Sequence, residues 1–265
     1  MAATSLGAHA TEQHRREQAR TSALLVREVL SLWPLLDPRR LDATAPAWLR
    51  LVLDLVGGYR DRSARLSADY LTRFRLAEIG RTPPNPLTLP DDSGWRDAAA
   101  VSLLVTGPST VKKLTGAGLD PQAAADKAGP LVAAAALRHG AAGGRDLIHA
   151  ARDRDPVISG YRRVTSAKPC AFCAMLAARS AMPAERRTFY ASAWSAGDRV
   201  RDGEPDPFHD DCLCTVEPVY RDDSAPPAAA AGFAELWVTS TEGYSGKEAR
   251  NAFRRAYEAQ LRAAA

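Results

Sequence analysis

Cysteine is scarce in this chain: four in 265 residues, with five histidines. All four cysteines lie between Cys170 and Cys214, and His209 lies with them, so their grouping has a cause. Long hydrophobic runs are missing. The longest, Leu131 to Leu137, falls far short of the roughly 20 apolar residues that span a bilayer, so no membrane partner is expected. The polar stretch Thr11-Glu12-Gln13-His14-Arg15-Arg16 contains no apolar core of a signal peptide, so no export signal is expected either. Charge of one sign is never blocked together. The net charge is only +4, with a pI near 9.0, too mild to announce a nucleic-acid binder. No repeat of solenoid period occurs. A chain kept in a reducing cytoplasm favours thiolate ligands over disulfides, although four cysteines could pair in three ways in an oxidising compartment.

What is present reads as globular: 46% hydrophobic and 25% charged residues, at a length that suits one large domain or two small ones. Abundant alanine, and arginine in excess of lysine, reflect high-GC coding. The expected fold is mainly α: an N-terminal helical region over 1–82, a Pro-rich connector over 83–94 and an Ala-rich helical region over 95–158. A small α+β Cys/His module follows over 159–221, then a linker over 222–244 and a C-terminal helix over 245–265.

Residues 1 to about 10 carry no pattern and are expected to be loose. Leu25, Val29, Leu32 and Trp33 predict a helix over Thr11–Trp33 that Pro34 stops. Leu35 to Thr44 reads as a linker. Pro46 then fits the first turn of a second helix whose face is Trp48, Val52, Leu55, Tyr59, Leu66, Tyr70 and Phe74. Gly57-Gly58 weakens that helix midway or admits a close crossing. Its arginines, Arg60, Arg62, Arg65, Arg73 and Arg75, read as a solvated face, with contact to nucleic acid or an acidic partner as the alternative. Pro83, Pro84, Pro86 and Pro90 make the connector extended. A short helix over Trp95–Val105 should break at Gly107-Pro108. Asp120-Pro121 caps an alanine-rich interior helix, interrupted at Gly129-Pro130 and ended by Gly143-Gly144. Arg145–Arg154 should form another short helix. Tyr161–Thr165 and Thr215–Tyr220 have strand composition and flank the cysteine pairs, so their antiparallel pairing would bring those pairs together. Arg186 to Phe208 reads as irregular. The last helix, Ser245–Ala264, carries Ala249, Phe253, Ala256, Tyr257 and Leu261 on one side and suits docking on its own body or on a partner.

The Cys/His block carries the chemistry. Lys168-Pro169-Cys170-Ala171-Phe172-Cys173 supplies two thiolates at the spacing that grips one soft cation. His209-Asp210-Asp211-Cys212-Leu213-Cys214 supplies the remaining donors, because zinc takes four tetrahedral N/S ligands. Five candidates compete for four places. The preferred set is Cys170, Cys173, His209 and Cys214, with Cys212 the rival for the last place and disulfides or free thiols the alternative. The expected cofactor is a structural Zn2+.

Catalytic patterns are incomplete. Zinc nucleobase deaminases need His-x-Glu ahead of Pro-Cys-x-x-Cys; here His139 and His149 are followed by Gly140-Ala141 and Ala150-Ala151. His-Glu-x-x-His and Gly-x-Ser-x-Gly are missing. Gly243-Tyr244-Ser245-Gly246-Lys247 has too few residues between its glycines for a phosphate loop. No small-molecule substrate and no enzymatic activity are expected. A thiol- or metal-dependent hydrolase stays open, because His209 could serve a cysteine nucleophile with Asp210, Asp211 or Glu217 as acid/base partner. His9, His14, His139 and His149 read as surface or helix residues. Trp48, Trp95 and Trp194 read as core aromatics.

Several of these residues resemble a known family. Tyr161-Arg162-Arg163-Val164, Pro169-Cys170-Ala171-Phe172-Cys173-Ala174-Met175-Leu176-Ala177 and His209-Asp210-Asp211-Cys212-Leu213-Cys214, ahead of Glu217-Pro218-Val219-Tyr220, are similar to the MuF-like minor head proteins of tailed phages and prophages. The actinobacteriophage branch is most alike. The N-terminal helices, Gly143-Gly144-Arg145 and Asn251-Ala252-Phe253-Arg254-Arg255 look similar too, so the likeness covers most of the chain, with the Cys/His block its specific part. Arg179-Ser180-Ala181-Met182 departs from the Arg-Gly-aromatic run expected there. The resemblance implies a minor capsid component made in the host cytoplasm and placed inside the virion head near the portal. Such a protein assists head morphogenesis and DNA packaging or ejection, with portal or capsid proteins and packaged DNA as partners. The alternatives are a capsid maturation protease or similar hydrolase and, more weakly, a DNA-binding protein.

Overall fold

Thr4 opens the first helix, earlier than the apolar pattern indicates. Its hydroxyl accepts from the Gly7 N–H at 2.9 Å, while its own N–H and hydroxyl donate to Glu78 at 3.0 and 2.8 Å. Helix α1 therefore runs Ser5–Leu32, and residues 4–10, expected to be loose, are pinned. The reason the pattern hid this is plain from what α1 buries at its start: Gly7, Ala10, Thr11, His14 and Gln18, small or polar side chains that leave no hydrophobic period. The computed structural model describes residues 2, 4–89, 94–152, 154–178, 181, 208–220 and 227–264. The Arg186–Pro207 stretch, Trp194 and most of the departing Arg179–Met182 run lie outside the described residues.

After a 3-10 turn at Trp33–Leu35, α2 spans Leu41–Ile79. It begins inside the stretch read as a linker and leaves Pro46 within the helix. Gly80, at φ 72°, closes it by donating to the Leu76 carbonyl. Helix α3 covers Trp95–Leu104. Gly107-Pro108 does not break the chain: a π-helical turn over Val105–Ser109 absorbs the missing proline donor and leads into α4, Thr110–Gly116. Asp120 caps α5, accepting from the Gln122 and Ala123 N–H groups at 2.8 and 3.3 Å.

Helix α5 is continuous over Pro121–Ala151, through Gly129-Pro130 and through Gly143-Gly144. At the first site Trp33 lies against Gly129 and donates from Nε1 to the Ala125 carbonyl at 3.1 Å. At the second, the glycines are where α5 crosses α2. A Cβ on Gly143 would stand 2.2 Å from the Arg60 carbonyl oxygen, and one on Gly144 2.5 Å from the Ser67 hydroxyl. They permit contact of helix backbones rather than ending a helix.

That crossing divides the interior. On one side Leu25, Val29, Trp48, Val52, Leu103, Val111, Val132 and Ala136 form an apolar core. On the other, Tyr70, Phe74, Ile148, Tyr161, Phe208 and Val216 form a second, which includes Cys173, Cys212 and Cys214. Between them lies a polar seam. His14, expected at the surface or on a plain helix face, is fully buried, bonded to the Ser67 hydroxyl at 3.0 Å and stacked on Tyr70 at 4.3 Å between centroids. Gln18 donates to the Ser63 carbonyl at 2.9 Å, and the Ser63 hydroxyl donates back to Gln18 at 2.8 Å. His139 is buried as well.

The arginine face of α2 splits in two. Arg62, Arg65 and Arg73 are exposed, whereas Arg60 and Arg75 are buried and ion-paired with Asp146 and Asp155 at 2.5 and 2.6 Å. Arg75 also donates to the Arg81 and Thr82 carbonyls. The proline-rich connector lies against the end of α5, where Arg154 reaches the Pro86 carbonyl and the Thr88 hydroxyl at 3.2 and 2.7 Å.

Strands β1, Gly160–Val164, and β2, Thr215–Val219, pair antiparallel with Arg162 opposite Glu217. Glu217 is buried, pairs with Arg162 at 3.1 Å and accepts from the Thr11 hydroxyl of α1 at 2.6 Å, so the ladder is bolted to the helical body. Helix α6 spans Ala171–Ala178. The stretch read as a linker over 222–244 contains a further helix, α7, Ala228–Ser240. Its run of alanines, the best helix former, was masked by neighbouring prolines and Gly232. Helix α8, Gly246–Ala263, lays Ala249, Ala252, Phe253 and Tyr257 inward. Phe253 and Tyr257 pack with Met175 and Leu176 of α6, beside Phe233 and Trp237 of α7, while Leu261 stays exposed.

Candidate metal centre

The ladder register does what the strand composition promised. Val164 faces Thr215, so the chain leaving β1 toward Cys170 and the chain entering β2 from Cys214 start from one end of the ladder. Cys170 sits just ahead of α6: its carbonyl accepts from Ala174 at 3.0 Å, and its sulfur accepts from the Cys173 N–H at 3.4 Å. The second arm is a tight turn in which the Cys212 N–H donates to the His209 carbonyl at 3.2 Å. Asp211 takes the left-handed conformation at φ 63°, a region that aspartate tolerates, and donates its N–H to the Ala134 carbonyl of α5.

Four predicted donors and their rival converge. Cys170 Sγ is 3.0 Å from His209 Nε2, Cys173 Sγ is 3.3 Å from the same nitrogen, and Cys173 and Cys212 sulfurs are 3.5 Å apart. Two groups result, Cys170/Cys173/His209 and Cys173/Cys212/Cys214, each with its donor atoms within 4.8 Å. Cys173 belongs to both. Zinc with bonds of roughly 2.3 Å to sulfur sets tetrahedral S···S edges of about 3.8 Å, so the observed spacing is of the right scale. Cys170 is exposed, and the other three cysteines are buried.

These groups act on one another through their hydrogen bonds and charges. A hydrogen bond from Cys173, reinforced by His209, pulls the Cys170 thiol down to about 4. Its bond to Cys170 pushes His209 up to about 9. Hydrogen bonds from Cys173 and Cys214 lower Cys212, with help from the Arg145 and Arg163 guanidiniums. Cys173, hydrogen-bonded to Cys170, Cys212 and Cys214, is pushed up. The cluster thus already favours thiolate at two positions and shares its protons among neighbours. A soft divalent ion would displace those protons and satisfy the sulfurs together.

Two of the three acid/base candidates are engaged elsewhere, Asp210 with Arg138 at 2.7 Å and Glu217 in the ladder, its carboxyl pushed up by burial, while Asp211 is exposed. Sequence reasoning missed the lining of the centre. Arg145 and Arg163 carry no ligand pattern, and Phe208 read only as the end of an irregular stretch. Arg163 and Arg145 did stand in runs that carry the family resemblance, Tyr161-Arg162-Arg163-Val164 and Gly143-Gly144-Arg145, and Arg145 is the first long side chain beyond the crossing.

Fold and site define a mainly α protein whose long helices carry a compact Cys/His module. The chain belongs to the VG15 protein family, whose model matches residues 6–240, and it is a phage protein. The match spans α1 through α7 and all five donors. No curated protein and no solved structure matches the chain.

Proposed function

We propose that this phage protein is a minor head component of the MuF-like type. It acts inside the capsid near the portal in head morphogenesis and in DNA packaging or ejection, and it is not an enzyme. Its partners are portal or capsid proteins and, through exposed arginines such as Arg62, Arg65 and Arg73, packaged DNA. The observation that carries the reading is the Cys/His cluster wedged between a two-stranded ladder and α5. Three of its four cysteines are buried in the second core, a place suited to a structural ion and poorly suited to a substrate. Cys170, Cys173 and His209, with Cys212 or Cys214, would hold a zinc ion that locks the module's fold. Among the described residues no helix is long and apolar enough to cross a membrane, in keeping with a virion interior.

One observation favours a second reading. Cys170 is exposed, its sulfur is 3.0 Å from His209 Nε2, and His209 Nδ1 is held by the Asp210 carbonyl, an arrangement that a thiol hydrolase or maturation protease could use. Quantitative mass spectrometry of purified particles, with zinc analysis and iodoacetamide labelling of the isolated chain, separates the two. The head reading expects a few copies per particle, about one zinc per chain and a protected Cys170. Absence from particles sinks it, and a metal-free chain with rapid, selective alkylation of Cys170 moves the case to the hydrolase.

A further inference from the structure

The two arginines beside the sulfurs are buried, and they share an aromatic ring. Arg145 lies over Phe208 at 3.9 Å from the ring centroid, and Arg163 at 4.1 Å. A guanidinium held on the ring's π-face is attracted to it and gives up less hydration than an ammonium would. Arg163 comes from β1, and Arg145 from α5 just past the glycine crossing. They do different things. Arg163 points Nη1 at two sulfurs, Cys173 and Cys212, each 3.8 Å away. Arg145 grips backbone instead: Nη2 donates to the Cys212 carbonyl at 2.6 Å and the Cys214 carbonyl at 3.0 Å, with Nε at 3.2 Å from the latter.

This inference rests on the zinc reading and adds to it. We propose that Cys212, rather than Cys214, completes the zinc site with Cys170, Cys173 and His209, and that Arg163 and Arg145, braced on Phe208, are its positioning residues. The Cys212 sulfur meets Cys173 at 3.5 Å and shares the Arg163 donor with it, while the Cys214 sulfur lies within 4.8 Å of both and Arg145 holds the two turn residues alike by their carbonyls. Three thiolates and a neutral imidazole around Zn2+ leave one unit of negative charge in a buried place. A guanidinium donating to two of those sulfurs offsets that charge and fixes their directions, as groups behind metal ligands commonly do. Because Arg145 reaches from α5, the same device sets the turn carrying Cys212 against the helical body.

Cobalt titration of the full chain under reducing conditions tests this, read by the d–d bands and the sulfur-to-cobalt charge-transfer band, with zinc competition for affinity. Wild type and Cys214→Ser should each take one ion with the same spectrum, and Cys212→Ser should lose charge-transfer intensity and tight binding. Arg163→Met should keep the one-ion endpoint but bind zinc about 10–100-fold more weakly, and Arg163→Lys should recover part of the loss. Should Arg163→Met not fold, Phe208→Leu, which removes only the ring that both guanidiniums rest on, should show the same weakening. Loss of binding in Cys214→Ser with retention in Cys212→Ser overturns the ligand assignment. Affinity within twofold of wild type in both Arg163→Met and Arg163→Lys overturns the arginine role. A wild-type chain that takes no cobalt at all fails earlier, at the zinc reading itself.

Discussion

The body built from α1, α2 and α5 and the module built from β1, β2 and α6 solve one problem in opposite ways. The body has length. Helices of 28, 39 and 31 residues lie together, with small residues at the crossing and an apolar core to one side. The module has two strands of five residues and a helix of eight, too little to close a core alone. It borrows the body's second core for Tyr161 and Val216, and on the proposed reading a zinc ion among its clustered donor side chains would supply its cross-link. On that proposal one region is stable by area, the other by a point.

The sharpest way to break that contrast is to remove the point. Chelation of the zinc-loaded chain should withdraw apparent stabilisation on the order of 10 kcal/mol from the module. Hydrogen exchange read by mass spectrometry should then show loss of protection over residues 160–178 and 208–220. Residues 121–130 of α5, which precede the Ala134 contact with the turn and bury Ala124, Ala125 and Ala128, should keep theirs. Unchanged protection in the module would mean that packing against α5 and α1 holds it unaided, and the contrast would dissolve.

The next largest effect belongs to the body. Arg75 makes two bonds to Asp155, at 2.6 and 3.1 Å, and both side chains are buried. Arg75→Met leaves Asp155 as an uncompensated buried charge and frees the Arg81 and Thr82 carbonyls, which should cost about 3–5 kcal/mol in urea denaturation followed at 222 nm. Arg75→Met with Asp155→Leu should recover most of it. A single-variant loss under about 1 kcal/mol would place this pair with ordinary surface ion pairs.

These two tests also mark what the sequence made legible. The Cys-x-x-Cys and His-x-x-Cys-x-Cys spacings announced one cluster, and the strand composition around them announced the ladder that assembles it. Both signals are local and chemically specific. The helix boundaries were harder, because glycine and proline were read as punctuation. Gly143-Gly144 has an ordinary helical role whose cause is Arg60 on another helix, 83 residues back from Gly143, and no local rule contains that contact. Arg75 looked like solvent-facing charge for the same reason: Asp155 lies 80 residues away. The sequence preferred Cys214 over Cys212 as the fourth donor, although both fit the spacing; the proposal for Cys212 rests on a contact with Arg163 that no local rule contains.

Acid should expose the body's weaker side. Burial pushes His14 down to about 3, with the Arg73 charge adding to it, and burial pushes His139 down to about 4, with Arg138 adding. Both folded values lie below the unfolded one near 6.5, so between them the unfolded chain binds the extra proton. Stability contributed by the neutral rings is therefore complete above pH 6.5 and falls as the pH drops, at about 1.4 kcal/mol per pH unit for each histidine. Going from pH 6.5 to 5 should cost about 2 kcal/mol through His14 alone. Release of the proposed zinc would also respond to acid, so the comparison must be made within the body. His14→Gln keeps a polar side chain in the seam and removes the titration. Its urea midpoint, read at 222 nm, should start lower than wild type at pH 7 and converge with it by pH 5. Parallel curves would show that water reaches His14 before the helices part, and that the seam is an opening in the body rather than its sealed middle.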